Sequence, residues 1–579
     1  MRPIAEVPLH LVLGEDDKAR LLVWLGQVCS DPSTLLSIDT ETEGLQPFGP
    51  QRHKVRLFQV GDVDEGWAIP FVGNERLCEW IVSMLAQHGA IHGHNSPFDE
   101  FMLAEEGLYP HHEAWVDTYI WHHLLYPKDY HGLKPAAGQL IGKACRSGEK
   151  WLELVFRKER VSWATVPIEH PAYWGYGALD PVLTSRIAYV MRQEKGALME
   201  EMRPQYERER RISLLTSRMS QTGLRVDVPY AERLVEKWDA EIVELAARLE
   251  RHQVQSPHAA KQIAAALMNE GWEPDLLTET GQVCTNKDVL SGLDHEIARD
   301  VLRWRRIGKW RTTYALPMAE SGGRIHPNIS SLRATTGRMA VSGPPLQQLP
   351  KGPEVRAGIL AEEGECMWAC DYDGQEMREL AAYASDPKLT EDVLHGGDVH
   401  GNIAAVLHGA DYSKEQRSWT KNGVYAWAYG AGAGRLSSTA HAEMGAMEAA
   451  MGTAYPGVAK FADKVDAIAK RRLDEDGMAW AKTIGGRLVA APKSRLYALR
   501  NYLLQGGGAD IAKMALDRCL DAGIDERYLK LIIHDEFLLS SPPGSDVPRQ
   551  VSELMCYEFR GVPFTTHLSE AGQNWGDVA

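Results

Sequence analysis

The stretch LKLIIHDEFLLSSP, from Leu529 to Pro542, consists of two apolar runs separated by three polar residues. Each run has the composition of a buried β-strand, and the short polar interval between them is typical of a hairpin turn. The turn carries an imidazole and two carboxylates, those of His534, Asp535 and Glu536. Burying such polar groups in a hairpin core is energetically unfavourable. Their presence therefore predicts a functional site at this turn.

A chain of 579 residues exceeds what one hydrophobic core usually serves, so roughly two to four packed units are expected. Its 44% hydrophobic and 25% charged residues are typical of a soluble globular protein, and no apolar run resembles a membrane span. The eight cysteines show neither a CxxC pair nor zinc-type spacing, which argues against a disulfide framework and a structural metal. The net charge of −16 disfavours a nucleic-acid partner only mildly, because the local distribution of charge decides such binding.

The sequence changes character along its length. Up to about Arg192, short strand-like runs alternate with helical segments, which predicts an α/β domain. Long amphipathic helices follow from Gln205, most clearly over Tyr230–Val254. After the proline- and glycine-rich stretch Ser342–Pro353, mixed α and β patterns continue to the end, beginning with a buried strand that ends near Asp371.

Carboxylates recur at intervals through the first part of the chain. Asp39 and Glu41 alternate along a strand, so their side chains share one face. Asp99 follows in HNSPFDEF, and Tyr176 and Asp180 lie one helical turn apart. Four acidic groups that converge would repel one another unless cations lay between them. A pair of Mg²⁺ ions bound by carboxylates is what phosphodiester hydrolysis requires, so these residues predict a two-metal nuclease centre.

The order Asp-x-Glu, Asn-x-x-Phe-Asp and Tyr-x-x-x-Asp resembles that of the DEDD exonucleases of the tyrosine subtype, over about residues 30 to 190. The resemblance implies that the four carboxylates bind the metal ions and that Tyr176 orients the attacking water. All five positions are filled in this chain. An active 3′→5′ exonuclease is therefore expected.

A second acidic site is predicted in the last third of the chain, where Asp371 ends a strand-like run and Asp535 lies in the hairpin turn. Between them, two cations and two aromatic residues recur at every fourth position: Arg417, Lys421, Tyr425 and Tyr429. This spacing forms one stripe along a helix, with a composition that suits a triphosphate and a stacked base. Taken alone, the helix fits equally well an amphipathic helix whose aromatic residues face the core.

Three segments, DYDGQEMR, RSWTKNGVYAWAYG and HDE, resemble in this order motifs A, B and C of the family A DNA polymerases. The resemblance extends from about Arg203 to the end, and TTGRM, AYPGVAKF, TIGGRL and NYLLQGGGADIAK also match. It implies an α/β and α+β multidomain fold in which a ribonuclease H-like exonuclease domain precedes a right-hand polymerase. We expect the exonuclease domain at 1–195, a helical thumb and connecting region at 196–325, and palm and fingers at 326–579, with the fingers at about 400–495.

The same resemblance implies a role for each motif residue. Asp371 and Asp535 would bind two Mg²⁺ ions, which Mn²⁺ can replace, and Lys421 would act as general acid towards pyrophosphate. Tyr425 would stack on the incoming base and favour incorporation of dideoxynucleotides, and Glu376 would exclude a 2′-hydroxyl. The other expected contacts are Arg417 and His400 with the nucleotide; Tyr429, His534, Arg338, Gln505 and Asn501 with template and primer; and Glu536 and Arg378 in support.

The preferred interpretation is a compact phage-type replicative DNA polymerase that acts on primer-template DNA and dNTPs. A monomer without a membrane partner is expected, in the host cytoplasm, since the N-terminus lacks the apolar segment of a signal peptide. Three alternatives stay open: a DEDD ribonuclease whose C-terminal part only binds RNA, a single-subunit RNA polymerase, and a non-catalytic DNA-binding replication factor. Asp373 stands where the family usually has Ser and is interpreted as a turn residue.

Overall fold

The computed structural model describes residues 1–274, 277, 281–349, 352–428 and 444–578. The N-terminal part (residues 1–201) contains the strands β1 Leu9–Leu11, β2 Leu36–Thr42, β3 Val55–Gly61, β4 Gly66–Pro70, β5 Ile91–Gly93 and β6 Trp115–Asp117. Its helices are α1 Glu15–Val28, α2 Glu75–His88, α3 Pro97–Glu105, α4 Thr118–Leu125, α5 Leu133–Leu140, α6 Ser147–Glu159 and α7 Pro171–Glu201.

The six strands of the N-terminal part form one mixed sheet in the order β1-β4-β3-β2-β5-β6. Strands β2, β3 and β4 are antiparallel neighbours, whereas β5 and β6 run parallel to β2. Helix α7 packs across β2, β3 and β4, and a Cβ atom at Gly66 would lie 2.0 Å from the carbonyl oxygen of Ala178. The glycine therefore permits the close packing that brings α7 over the sheet, as the predicted α/β pattern requires.

The C-terminal part (residues 203–578) begins with a helix-rich segment. Its elements are α8 Arg203–Thr222, β7 Leu224–Val226, α9 Val228–Arg251, α10 Ala260–Asn269, α11 Lys287–Ser291, α12 Glu296–Trp310, α13 Leu316–Ala319 and β8 Arg324–Ile325. Helix α9 confirms the amphipathic helix predicted there: Leu234, Trp238, Leu245 and Leu249 are buried along one face.

The remainder of the C-terminal part combines a four-stranded antiparallel sheet with helices. Its strands are β9 Asn328–Ser330, β10 Ala340–Ser342, β11 Ile359–Leu360, β12 Cys366–Tyr372, β13 Ala479–Lys482, β14 Leu488–Ala491, β15 Leu529–Ile533, β16 Glu536–Ser541, β17 Tyr557–Phe559, β18 Val562–Phe564 and β19 Thr566–Leu568. Its helices are α14 Pro353–Arg356, α15 Gln375–Ala384, α16 Pro387–His395, α17 Val399–His408, α18 Lys414–Ala428, α19 Met444–Ala454, α20 Pro456–Asp476, α21 Ala498–Asp521, α22 Val547–Met555 and α23 Trp575–Val578.

The four-stranded sheet has the order β15-β16-β12-β19 and confirms both the predicted hairpin and the strand that leads to Asp371. Ile533 pairs with Glu536, so His534 and Asp535 form a two-residue turn, with His534 at a φ of 58°. Asp371 pairs with Glu536 on one side and with His567 on the other. The register therefore brings the carboxylates of two motifs, 164 residues apart in the chain, to the same end of the sheet.

Helix α8 joins the two parts. Tyr206 stacks on Trp121 of α4 with ring centroids 4.2 Å apart, and its hydroxyl accepts a 2.7 Å hydrogen bond from the backbone N–H of Asp117. Arg210 donates to both carboxylate oxygens of Glu100, at 2.6 and 2.7 Å, with both side chains buried. One face of α8 is thus fixed to the N-terminal part.

A buried ionic network fixes another face of the same helix. Glu209, adjacent to Arg210, accepts two 2.8 Å hydrogen bonds from Lys513 of α21 and also pairs with Arg487. Arg487 donates to Asp510 at 3.0 Å and packs against Gly337, where a Cβ atom would lie 2.5 Å from the guanidinium.

Among the described residues, no helix is both long and apolar enough to cross a membrane.

Candidate active sites

Three of the predicted metal-binding carboxylates meet between β2 and α7. One oxygen each from Asp39, Glu41 and Asp180 lies within 4.8 Å of the others, and we call these residues the carboxylate cluster. The alternation of β2 puts Asp39 and Glu41 on one face, and Gly177 allows α7 to approach that face closely, since its Cβ would lie 3.3 Å from Glu41 Cγ. Burial raises the pKa of Asp39 to about 7, against the effect of nearby Lys134, and raises that of Glu41 well above its usual range.

Lys134 lies inside this site and was not predicted from the sequence. Its ammonium group pairs with Asp180 and stands 4.0 Å from the ring centroid of Tyr176. Burial lowers the pKa of Lys134 to about 8, partly offset by Asp39 and Glu41. Burial also raises the pKa of Tyr176, and the two carboxylates add to this effect. The only signal in the sequence is a lysine at the start of an apolar helix, which does not indicate a site.

The fourth predicted ligand, Asp99, adjoins the cluster but is not one of its three grouped residues. It lies in the first turn of α3 and accepts hydrogen bonds from the backbone N–H of Thr40 at 2.9 Å and from its hydroxyl at 2.6 Å. Burial and the neighbouring Asp39 raise the pKa of Asp99 well above its usual range. Asp99 is therefore held against β2 by the residue between the two strand carboxylates.

A cleft with a volume of about 500 Å³ opens beside the carboxylate cluster. Asp39 and Asp180 line it together with the apolar side chains of Leu45, Phe98 and Phe101 from the N-terminal part. The opposite wall comes from the C-terminal part, through α8 and residues 326–333. The two parts of the chain therefore enclose this cleft jointly, which we call the N-terminal cleft.

The second predicted site lies at the end of the four-stranded sheet. A cavity of about 310 Å³, which we call the palm cavity, is lined by Arg338, Met339, Gly374, Gln375, Glu376, Tyr425, Gly508, Ala509, Ala512, His534 and Asp535. Burial and the nearby Asp535 raise the pKa of Asp371, whereas His567 lowers it. The structure therefore brings residues of motifs A, B and C to one place, as the sequence predicts.

Neighbouring residues hold this end of the sheet in place. Arg338 pairs with Glu376 at 3.4 Å, and burial raises the pKa of Glu376. Trp575 donates a 3.1 Å hydrogen bond to the half-buried carboxylate of Glu536. Arg378 donates to the backbone oxygens of Asp373 at 2.7 Å and of Pro563 at 2.6 Å, so its role in the described structure is to fix the turn after β12.

Helix α18 carries the predicted cationic stripe. Arg417 is engaged by Asp398 through two hydrogen bonds of 2.8 and 2.7 Å, while Lys421 is exposed. His400 faces Tyr425 with ring centroids 5.5 Å apart, and burial lowers the pKa of His400 to about 4, together with Lys421 and Arg417. Tyr429 lies outside the described residues.

Helix α21 carries the two expected duplex contacts at its N-terminal end. Gln505 is half-buried there, and one turn earlier Asn501 has a buried side-chain oxygen for which the described residues provide no hydrogen bond. His534 lies at the hairpin turn, where partial desolvation lowers its pKa and the nearby Arg338 lowers it further. Of these three residues, His534 lines the palm cavity, whereas Asn501 and Gln505 are not part of its lining.

Glu379 is a second residue that sequence reasoning missed. It lies one turn after Glu376 on α15 and is 1% exposed, and neither carboxylate oxygen has a hydrogen-bond partner among the described residues. Burial raises its pKa well above the usual range, and Glu376 adds to this effect. Cβ atoms at Gly507 and Gly508 would each lie 3.0 Å from a Glu379 oxygen, so these glycines allow α21 to approach the acid closely.

Both sites have a donor set that suits a hard divalent cation. The carboxylate cluster offers three oxygens from three residues of β2 and α7, and at the other site Asp371 offers a carboxylate from β12 and Asp535 one from the turn between β15 and β16. Mg²⁺ and Mn²⁺ prefer such oxygen ligands. The residues present therefore fit a divalent metal ion at each site.

Comparison with known proteins finds similar DNA polymerases. A DNA polymerase of Mycobacterium phage D29 is 28% identical over 94% of this chain and 93% of its own length, and that of Mycobacterium phage L5 gives the same three values. The POL domain of Pol1 from M. smegmatis, solved in complex with DNA primer-template and dNTP, superimposes with a TM-score of 0.74 at 20% identity, covering 98% of this chain and 100% of that one. This likeness confirms the predicted fold class.

The family model for DNA polymerase family A matches residues 228–577, which include the palm cavity and all three motifs. The match covers more than half of the chain. The chain belongs to DNA polymerase family A.

Proposed function

We propose that this DNA polymerase extends a primer along a DNA template from dNTPs at the palm cavity and removes mispaired 3′ ends by hydrolysis in the N-terminal cleft. The observation that carries the synthetic half is the strand register that pairs Asp371 with Glu536 and so brings Asp371 next to Asp535, which lines the palm cavity together with Tyr425 and Glu376. A nucleotidyl transfer needs two carboxylates together with groups that recognise base and sugar, and this end of the sheet offers both.

Four residues in or near the palm cavity are assigned a task in contacting the incoming nucleotide. Tyr425 stacks on the incoming base, and Glu376 lies against the sugar, where it excludes a 2′-hydroxyl. Lys421 donates a proton to the departing pyrophosphate. Arg417 binds the triphosphate after exchanging Asp398 for a phosphate, since a guanidinium binds both in the same bidentate manner.

The duplex contacts are part of the same proposal. Arg338 and Gln505 contact the minor groove of the newly formed pair, where correctly paired ends present acceptors at common positions. Asn501 and His534 lie near the template and primer strands, and Tyr429 beside the template base. A mispaired end presents these acceptors elsewhere, so it is extended poorly and is available for removal.

The hydrolytic half is supported by the carboxylate cluster, by Tyr176 at its edge and by the enclosed cleft beside it. Tyr176 orients the attacking water, and Leu45 and Phe98 contact the bases of an unpaired primer end. At each site the carboxylates would hold Mg²⁺, which supplies Lewis-acid activation of the attacking oxygen and charge for the leaving one.

The proposal also assigns each range of the chain to a domain. Residues 1–195 form the exonuclease domain, 196–325 the thumb and connecting region, and 326–579 the palm and fingers, with fingers at about 400–495. The substrates are primer-template DNA and dNTPs, as in the M. smegmatis complex, and the mycobacteriophage relatives favour a phage replicative role.

The test uses a 5′-labelled primer annealed to a longer template, with the purified full chain and Mg²⁺. Extension in the presence of four dNTPs and stepwise shortening in their absence would establish both halves. Extension with rNTPs instead would favour a single-subunit RNA polymerase. Shortening under both conditions, without extension, would leave only the nuclease and refute the roles proposed for Asp371 and Asp535.

A further inference from the structure

Lys134 occupies a position that is unfavourable for a cation. It is the second residue of helix α5 and only 5% exposed. The first turn of a helix carries partial positive charge from its free N–H groups, and a buried ammonium loses its hydration. The surrounding residues must compensate for both costs.

The compensation comes from the carboxylate cluster. Lys134 forms an ion pair with Asp180 of α7, and Asp39 and Glu41 of β2 both act on its charge. Its ammonium also lies over the face of the Tyr176 ring, at 4.0 Å from the centroid, which is a favourable cation–π distance. One lysine thus touches or faces every member of the cluster and the tyrosine beside it.

Lys134 compensates only part of the negative charge of the carboxylate cluster. Three carboxylates held within 4.8 Å repel one another, and a single ammonium compensates one of them. When all three carboxylates are ionised, two formal negative charges are left, which a divalent cation would balance. An ammonium hydrogen-bonded to Asp180 also competes with that cation for the same carboxylate.

We propose that Lys134 is a built-in cation of the carboxylate cluster, which holds the cluster assembled in the absence of a divalent ion and weakens the binding of that ion by competing for Asp180. Lys134 is a positioning residue in this account, because it acts on the metal ligands. The inference rests on the proposed nuclease function, which assigns a metal to the cluster. It goes beyond that function by stating which protein group sets the metal affinity.

The experiment measures Mn²⁺ binding to the full chain by the electron paramagnetic resonance signal of free Mn²⁺, with Mn²⁺ alone as the probe. All proteins carry Asp371→Asn and Asp535→Asn, so that binding at the palm cavity is weakened. Lys134→Met removes the ammonium, and Lys143→Met is the matched control, since Lys143 lies in the same part of the chain and is not buried. Lys134→Gln keeps a hydrogen-bond donor towards Asp180 but no charge.

The Lys134 variants should bind Mn²⁺ at least about tenfold more tightly than the Lys143 control. Without metal they should unfold at a lower temperature than the control, and Mn²⁺ should remove this difference. If Lys134→Met does not fold, Lys134→Gln decides, and failure of both to fold even with Mn²⁺ would overturn the proposal. Equal or weaker Mn²⁺ binding in the folded variants would overturn it too.

The outcome is separable from that of the proposed function. A protein with Lys134 intact that binds Mn²⁺ at the cluster but does not shorten a primer would refute the nuclease, while the comparison of Lys134 variants would still decide the present inference. Absence of Mn²⁺ binding in that protein and in every variant would refute both. Binding that appears only when Lys134 is replaced would support the inference in its strongest form.

Discussion

Asp371 pairs with Glu536 across two antiparallel strands, so the carboxylate of Asp535, the residue before Glu536, lies beside it at the end of the sheet. The two acids are close enough for Asp535 to raise the pKa of Asp371. Backbone pairing holds these two like charges close together, and their repulsion destabilises the fold in the absence of a cation. Their proximity is the basis of the first prediction.

Replacing either acid by its amide, as Asp371→Asn or Asp535→Asn, should reduce primer extension by about a thousandfold or more, because a metal ligand supplies several kcal/mol of transition-state stabilisation. Single-turnover extension of a labelled primer measures this. Asp373→Asn is the matched control: Asp373 is exposed and accepts a 2.9 Å hydrogen bond from Thr565, so extension should stay near that of the unmodified chain. A comparable loss in the control would make Asp373 a third ligand.

Glu41→Gln should abolish shortening of the primer in the absence of dNTPs and leave extension unchanged, since Glu41 belongs to the carboxylate cluster. Glu43→Gln, two residues farther on, should retain both activities, because Glu43 lies outside the cluster and accepts a hydrogen bond from the backbone N–H of Lys54. The assay is the decay of a 5′-labelled single strand in Mg²⁺. Equal nuclease rates in the two variants would refute the assignment of the cluster.

Tyr425→Phe should increase discrimination against dideoxynucleotides by about ten- to a hundredfold, the value of one hydrogen bond to a charged group. The tyrosine hydroxyl, at the palm cavity, can supply the hydrogen bond that a sugar without a 3′-hydroxyl is unable to make. Ratios of kcat/KM for dideoxy- and deoxynucleotides give the measurement. Tyr189→Phe, at an exposed position of α7, should leave the ratio unchanged, and identical ratios in both variants would contradict the role of Tyr425.

Glu209→Gln should lower the free energy of unfolding by about 3–5 kcal/mol, since it leaves Lys513 and Arg487 buried without their anion. Burial alone would raise the pKa of Glu209, but the two cations bring it below its usual range. The stabilisation is therefore complete above the usual glutamate pKa and is lost as the pH falls through the lowered value.

Urea unfolding at pH 7 and at a series of acidic pH values tests this prediction. The difference between the unmodified chain and Glu209→Gln should be constant near neutral pH and should shrink below about pH 4. Glu207→Gln on the same helix is the control, because Glu207 is exposed and its loss should change stability by less than about 0.5 kcal/mol. A pH-independent difference would assign the effect to packing rather than charge.

Local pattern was enough to predict the main elements of both sites. The alternation of β2 places Asp39 and Glu41 on one face, and helical spacing places Tyr176 one turn before Asp180. The hairpin at His534 and Asp535 follows from apolar runs around a polar turn. In each case the functional side chains and the element that orients them lie within a few residues of one another. The periodicity of the sequence is therefore enough to predict how these side chains are placed.

Contacts between distant segments could not be predicted in this way. Lys134 meets Asp180 across 46 residues, and Glu379 is buried under glycines more than 100 residues away. Arg417 has the spacing of a phosphate ligand, yet Asp398 engages it in the structure. Each of these contacts depends on how helices pack, which a one-dimensional pattern does not contain.

The two faces of α8 have a consequence for the path of the DNA. Glu209 is bonded to α21 beside the palm cavity, and the next residue, Arg210, is bonded to Glu100 of the N-terminal part. Adjacent residues of one rigid helix therefore set the spacing between the two sites. Under the proposed function, the number of base pairs that must open before a primer end reaches the N-terminal cleft would then be a constant of the protein, whereas the energy needed to open them would vary with the DNA sequence.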